Sequence, residues 1–127
     1  MVKAKILVVE DEPQIAEALQ LNLQAAGYDV VVAFDGIEAL RAFDQESPDL
    51  ATVDLMIPGV SGFRLVNLLK RTRPIPVVVV SALNPQEAEE ATRAGVDEFV
   101  TKPINFAELI RRIEFVLAKS DGAGRKS

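Results

Sequence analysis

Four carboxylates, one hydroxyl and one ammonium stand at the ends of four strand-like apolar runs. Glu10-Asp11-Glu12 follows Ile6-Leu7-Val8-Val9, and Asp54 ends Leu50-Ala51-Thr52-Val53. Ser81 ends Val77-Val78-Val79-Val80, and Lys102-Pro103 ends Phe99-Val100-Thr101. In an open parallel sheet the carboxyl ends of the strands form one edge, and ligands bind there near the point where strand order reverses. Glu10, Asp11 and Asp54 would then converge. Two carboxylates about 4 Å apart repel by roughly 4 kcal/mol at an effective dielectric near 20, so three require a cation, solvent or a retained proton. A hard, oxygen-seeking ion such as Mg²⁺, with Mn²⁺ as a substitute, fits such a cluster together with a substrate phosphate. The chemistry this describes is metal-assisted phosphoryl transfer. Asp54 is the candidate nucleophile, forming an acyl phosphate, while Lys102 and Ser81 offer a charge and a hydrogen bond to the phosphoryl oxygens. Singly, each group has a plainer reading: an acidic loop in water, a serine ending a strand, a surface lysine. The convergence is what is specific.

Strand-like and helix-like segments alternate so as to place these groups. Ala4 to Val9 is a continuous apolar run and reads as a buried strand. Pro13 opens a helix expected to end near Ala26, with Gly27 as its stop and Ile15, Leu19, Asn22, Leu23 and Ala26 on one face. Tyr28 to Ala33 is the second strand, and Asp35-Gly36 turns into a helix through Phe43. Leu50 to Asp54 is the third strand, and Pro58-Gly59 and Ser61-Gly62 shape the loop after it. A helix from Phe63 to Arg71 carries Leu65, Val66, Leu68 and Leu69. Val77 to Ser81 is a strand covered on both faces, Gln86 to Ala94 a short helix stopped by Gly95, and Glu98 to Thr101 the fifth strand. Asn105 caps the last helix, with Glu108 as capping-box partner and Leu109, Ile110, Ile113, Phe115, Val116 and Leu117 as its apolar side. The expected division is a domain over residues 1–119 and a disordered tail or linker start over 120–127. Five strand-helix repeats imply an α/β fold: a doubly wound five-stranded parallel sheet with five helices, joined by right-handed crossovers. The order 2-1-3-4-5 matches one of the common doubly wound patterns and sets the first and third strands side by side.

Composition narrows the chemistry. The 127 residues, 49% apolar, suit one domain with a sizeable core. A formal charge of −5 argues against direct nucleic-acid binding, and Arg64, Lys70, Arg71 and Arg73 cluster without interleaved aromatics, as a solvated helix end does. With no cysteine there is no thiolate nucleophile or disulfide, and with no histidine no Ser-His-Asp triad, imidazole base or phosphohistidine of its own. The first apolar run is too short for a signal peptide or a membrane span, so the expectation is a cytoplasmic protein without membrane contact.

Val8-Val9-Glu10-Asp11-Glu12, Asp54-Leu55-Met56-Ile57-Pro58-Gly59-Val60-Ser61-Gly62, Ser81-Ala82 and Phe99-Val100-Thr101-Lys102-Pro103 together resemble the receiver domains of bacterial two-component response regulators. The resemblance spans Lys3 to Lys119. It implies a flavodoxin-like receiver fold and phosphorylation of Asp54 by the phosphohistidine of a histidine kinase or a histidine phosphotransfer protein. It further implies Mg²⁺ held by Asp11, Asp54 and the Met56 carbonyl, with Glu10 acting largely through water. Ser81 and Lys102 would bind the phosphoryl group, Lys102-Pro103 would be cis, and Ser81 and Phe99 would form the switch to an unknown downstream protein, the chain being a monomer or weak dimer. Met56 and Leu83 would flank the approach of water and, being apolar, imply slow self-dephosphorylation. One departure stands out: Ser81 to Lys102 is one residue shorter than the family's pattern, and Ala88, Ala91 and Ala94 give the fourth helix few large buried groups.

Competing readings are weaker. A flavodoxin-like nucleotide binder wants a phosphate-cradling loop where Glu10-Asp11-Glu12 stands. A P-loop is absent. A haloacid-dehalogenase-type phosphatase wants a second aspartate where Met56 stands. The remaining rival is a receiver-like interaction module that works without phosphorylation, and the acidic pair Glu10 and Asp11 with Asp54, Ser81 and Lys102 argue against it.

Overall fold

A computed structural model describes the backbone of residues 2–82 and 84–125, with side chains described through Ser120. Five strands form one parallel sheet: β1 (Lys5–Val9), β2 (Asp29–Ala33), β3 (Leu50–Val53), β4 (Val77–Ser81) and β5 (Glu98–Thr101). Their order is β2-β1-β3-β4-β5, so β1 and β3 are neighbours, with Val9 opposite Val53. The helices α1 (Pro13–Ala25), α2 (Gly36–Glu46), α3 (Gly62–Thr72), α4 (Pro85–Arg93) and α5 (Phe106–Arg125) alternate with them. The doubly wound α/β fold expected from the sequence is therefore the one observed, with boundaries shifted by a residue or two at most ends, as terminal turns commonly are. The larger shift is in α2, which runs three residues past Phe43 and ends where Ser47 adopts a left-handed φ of 47°.

Alternation along the strands splits the core into two layers. Ile6, Val8, Leu50, Val78 and Val80 face one way and pack with Leu19 and Leu23 of α1 and Leu109 and Ile113 of α5. Leu7, Val9, Ala51, Val53 and Val77 face the other way, against Phe43 of α2 and Leu65, Val66 and Leu69 of α3. Both layers hold the strand ends that carry the polar groups. Thr52, in the middle of β3, is buried with no hydrogen-bond partner for its hydroxyl.

Side-chain caps start four helices. Asp35 accepts from the Glu38 N–H, Ser61 from Arg64, Asn84 from Glu87 and Asn105 from Glu108. The capping box expected at α5 is only half formed: the Glu108 carboxylate bonds Arg112 instead of reaching back. Phe115 also departs from expectation, being 64% exposed. Leu109, Ile113 and Val116 already fill the inward stripe of α5, and Phe115 lies about 100° around the helix from Val116. The helical backbone of α5 continues past Lys119 into the segment read as a tail. In α4 the sole buried residue is Ala91, in keeping with its few large apolar groups. The first turn of α3 leaves no room for a side chain: a Cβ on Gly62 would lie 2.3 Å from the Leu55 Cα.

Candidate functional site

The carboxyl ends of β1, β3, β4 and β5 bring the expected groups together. Glu10 follows β1 directly and is 1% exposed; Asp54 follows β3 and is 4% exposed. Neither is free to move away, because the Glu10 N–H is bonded to the Ala33 carbonyl and the Asp54 N–H to the Val9 carbonyl. Asp11 is exposed at the mouth, and Glu10, Asp11 and Asp54 each place a carboxylate oxygen within 4.8 Å of the others.

Three donors surround the Asp54 carboxylate. Its Oδ1 accepts from the Met56 N–H at 2.9 Å and from the Ser81 hydroxyl at 2.9 Å, and its Oδ2 accepts from Lys102 Nζ at 2.6 Å. Ser81 is fully buried. Lys102 reaches the site from the loop after β5, where the Lys102-Pro103 peptide is cis, and its Nζ also lies 2.8 Å from Glu10 Oε1. That second approach has ion-pair distance but misses hydrogen-bond geometry, which leaves Glu10 Oε1 without a hydrogen-bond partner. Glu10 Oε2 accepts from the Glu12 N–H at 3.2 Å.

Burial pushes the Glu10 carboxyl above its ordinary range, against the lowering effect of Lys102 and the Glu12 N–H, and the charge on Asp54 adds to the rise. Burial alone would lower Lys102, but its bonds to Asp54 and Glu10 outweigh that and hold it above the usual lysine range. One ammonium thus answers three carboxylates. A buried carboxylate oxygen held only by a shared ammonium, an exposed third carboxylate as an entry path, and incompletely compensated negative charge are what a divalent, oxygen-seeking cation fits.

Met56 sits two residues beyond Asp54 with its side chain 70% exposed. Phe99 is half-buried on β5, opposite Val79, beside a cavity of about 300 Å³ that Arg112 and Glu108 also line. Leu83, the other residue expected to flank the approach to Asp54, lies outside the described residues. The Met56 N–H on Asp54 and the Glu12 N–H on Glu10 escaped the sequence reading. Both are backbone groups, whose positions depend on loop path and not on side-chain type.

Comparison with known proteins agrees with the fold and identifies the family. The response regulator receiver domain family matches residues 6–114. The "DNA-binding dual master transcriptional regulator RpaA" of Synechocystis sp. is 37% identical over 121 residues, covering 92% of this chain and 50% of that protein. The transcriptional regulatory protein KdpE of Mycobacterium tuberculosis is 37% identical over 119 residues, covering 93% and 53%. The chain therefore spans about half the length of these curated relatives. Among solved structures, a Francisella response regulator receiver domain superposes with a TM-score of 0.87 at 32% identity, covering 93% of this chain and 99% of that one. A CheY-like receiver domain protein from Methanospirillum hungatei gives 0.91 at 26% identity, covering 97% and 99%.

Proposed function

Since this chain belongs to the response regulator receiver domain family, we propose that Asp54 is its phosphoacceptor. Response regulators take a phosphoryl group from histidine kinases, and this chain is a receiver of that kind. The observation that supports the residue assignment is the environment of Asp54: a buried carboxylate bonded to one ammonium, one hydroxyl and one backbone N–H.

An Asp54 oxygen lone pair attacks phosphorus, the new O–P bond forms as the donor's N–P bond breaks, and the imidazole, which already carries a proton on its other ring nitrogen, keeps the N–P electron pair and leaves as the neutral base. The donor is the phosphohistidine of a kinase or of a phosphotransfer protein. Lys102 follows the negative charge onto a phosphoryl oxygen, and Ser81 donates to another. Mg²⁺, or Mn²⁺ in its place, would be held by Asp11, Asp54 and the Met56 carbonyl, with Glu10 acting through water. When bound, the ion supplies the positive charge that lets an anionic donor approach this acidic edge. Ser81 and Phe99 would relay phosphorylation to a downstream protein partner, in the cytoplasm, with the chain a monomer or weak dimer that touches neither membrane nor nucleic acid directly. Among the described residues no helix is long and apolar enough to cross a membrane. Met56 offers no polar group to orient a hydrolytic water, which supports a long-lived acyl phosphate.

Intact-mass measurement with acetyl phosphate tests the reading. The wild type should gain one phosphoryl group with Mg²⁺ and none with chelator, Asp54→Asn should gain none in either, and the decay of the labelled wild type gives its lifetime. Equal labelling of both proteins would sink the assignment. A receiver-like module that works without phosphorylation would show no labelling at all.

A further inference from the structure

The lone pairs of Asp54 are nearly all taken before any ligand arrives. An ionised carboxylate offers about four lone-pair sites. Two on Oδ1 are used by the Met56 N–H and the Ser81 hydroxyl, and one on Oδ2 is used by Lys102. A single site remains, whereas the proposed chemistry needs two, one for the cation and one for phosphorus. One donor must therefore leave. The Met56 N–H is tied by the chain only two residues from Asp54. Lys102 can move onto a phosphoryl oxygen only once one has arrived; until then it carries a charge that both Asp54 and Glu10 need, and its departure would leave two buried carboxylates facing each other. The Ser81 hydroxyl is neutral and turns on one bond.

We propose that Ser81 is a positioning residue that acts before the phosphoryl group appears. In the unphosphorylated chain its hydroxyl restrains the Asp54 carboxylate and withholds one oxygen from the cation. When the cation binds, the hydroxyl is released and becomes the donor that meets the incoming phosphoryl oxygen. Ser81 thus opposes metal binding and later favours phosphate retention. This rests on the reading of Asp54 as a phosphoacceptor beside a divalent cation, and it adds a penalty that the cation must overcome.

The test is a Mg²⁺ titration followed by amide NMR shifts on the whole chain. Ser81→Ala should bind Mg²⁺ about tenfold more tightly than wild type, the size of effect expected when one hydrogen bond to a charged group no longer competes. Ser81→Thr, which restores the hydroxyl, should return the affinity to the wild-type value. Ser81→Cys, with a weak thiol donor, should fall between and serves if the alanine variant does not fold. Wild-type or weaker affinity in the alanine variant (or in the cysteine variant standing in for it) overturns the inference while leaving the metal site intact. Failure of threonine to restore the affinity also overturns it, because the tightening would then come from the space vacated. If the wild type and every variant ignore millimolar Mg²⁺, the cation reading itself fails, and the inference falls with it.

Discussion

The two edges of this sheet carry charge in opposite ways. At the amino-terminal edge, Lys5 lies 3.1 Å from Glu46 and 3.9 Å from Asp29, and Lys3 lies 3.5 Å from Glu114, with every one of these side chains 30–52% exposed. The Asp49 carboxylate there accepts the Lys5 N–H. At the carboxyl-terminal edge, Lys102 pairs with Glu10 and Asp54, and the three side chains are 16%, 1% and 5% exposed. Lysine meets carboxylate at both ends, but water shares the load at only one. An exposed pair can be broken with little loss because each partner is rehydrated. A buried pair cannot, because the partner left behind keeps its charge and has no solvent. The lower edge is thus a solubilising border, and the upper edge is a place where one missing cation is felt.

Three substitutions probe that contrast, in falling order of expected effect. Lys102→Met in metal-free buffer should lose about 3 kcal/mol of stability, read by urea denaturation, with part regained on adding Mg²⁺. A loss no larger than that of a surface pair would erase the distinction between the edges. Glu10→Gln should act in the opposite direction. The Glu10 carboxyl is raised by burial first of all, so its neutral form is favoured by the fold. Its contribution is fully present below the unfolded value near 4.5 and is lost as pH rises through the folded value. Glutamine is neutral at every pH, so the variant should match the wild type in acid and become the more stable of the two toward neutrality. The same urea series at several pH values checks this, and a gap that widens in acid would reverse the sign and refute it. Lys5→Met should cost about 0.5 kcal/mol or less, and the cost should vanish in high salt as the pair is screened.

Most of the fold was legible because its signals are local or periodic. Pro13 and Gly27 bracket α1, with Gly27 at a φ of 100° just past the helix, and the valine run of β4 is buried throughout. Glu10, Asp54, Ser81 and Lys102 were legible for a related reason: each stands at a strand end, so the topology alone brings them to one edge. Competition between partners was not legible. Glu108 has two possible claimants, the Asn105 N–H and Arg112, and the sequence does not say that the arginine wins. Phe115 is apolar at a position next to the inward stripe, and only the helix phase shows it facing out. The Ser81–Asp54 bond depends on one side-chain rotation, which no spacing rule encodes.

Gly62 has a further consequence for engineering. Its α-carbon abuts Leu55, the residue after Asp54, so the two ends of the β3–α3 connection are clamped together while Gly59 in its middle is exposed, at a φ of 84°, with nothing near the place a Cβ would take. Added chain length at such a point costs little, since loop-closure entropy grows only slowly with length. A short epitope or a reporter peptide spliced in after Gly59 would hang from the clamp and leave the Asp54 wall where it is, which makes this loop the natural handle for attaching a probe a few residues from the site.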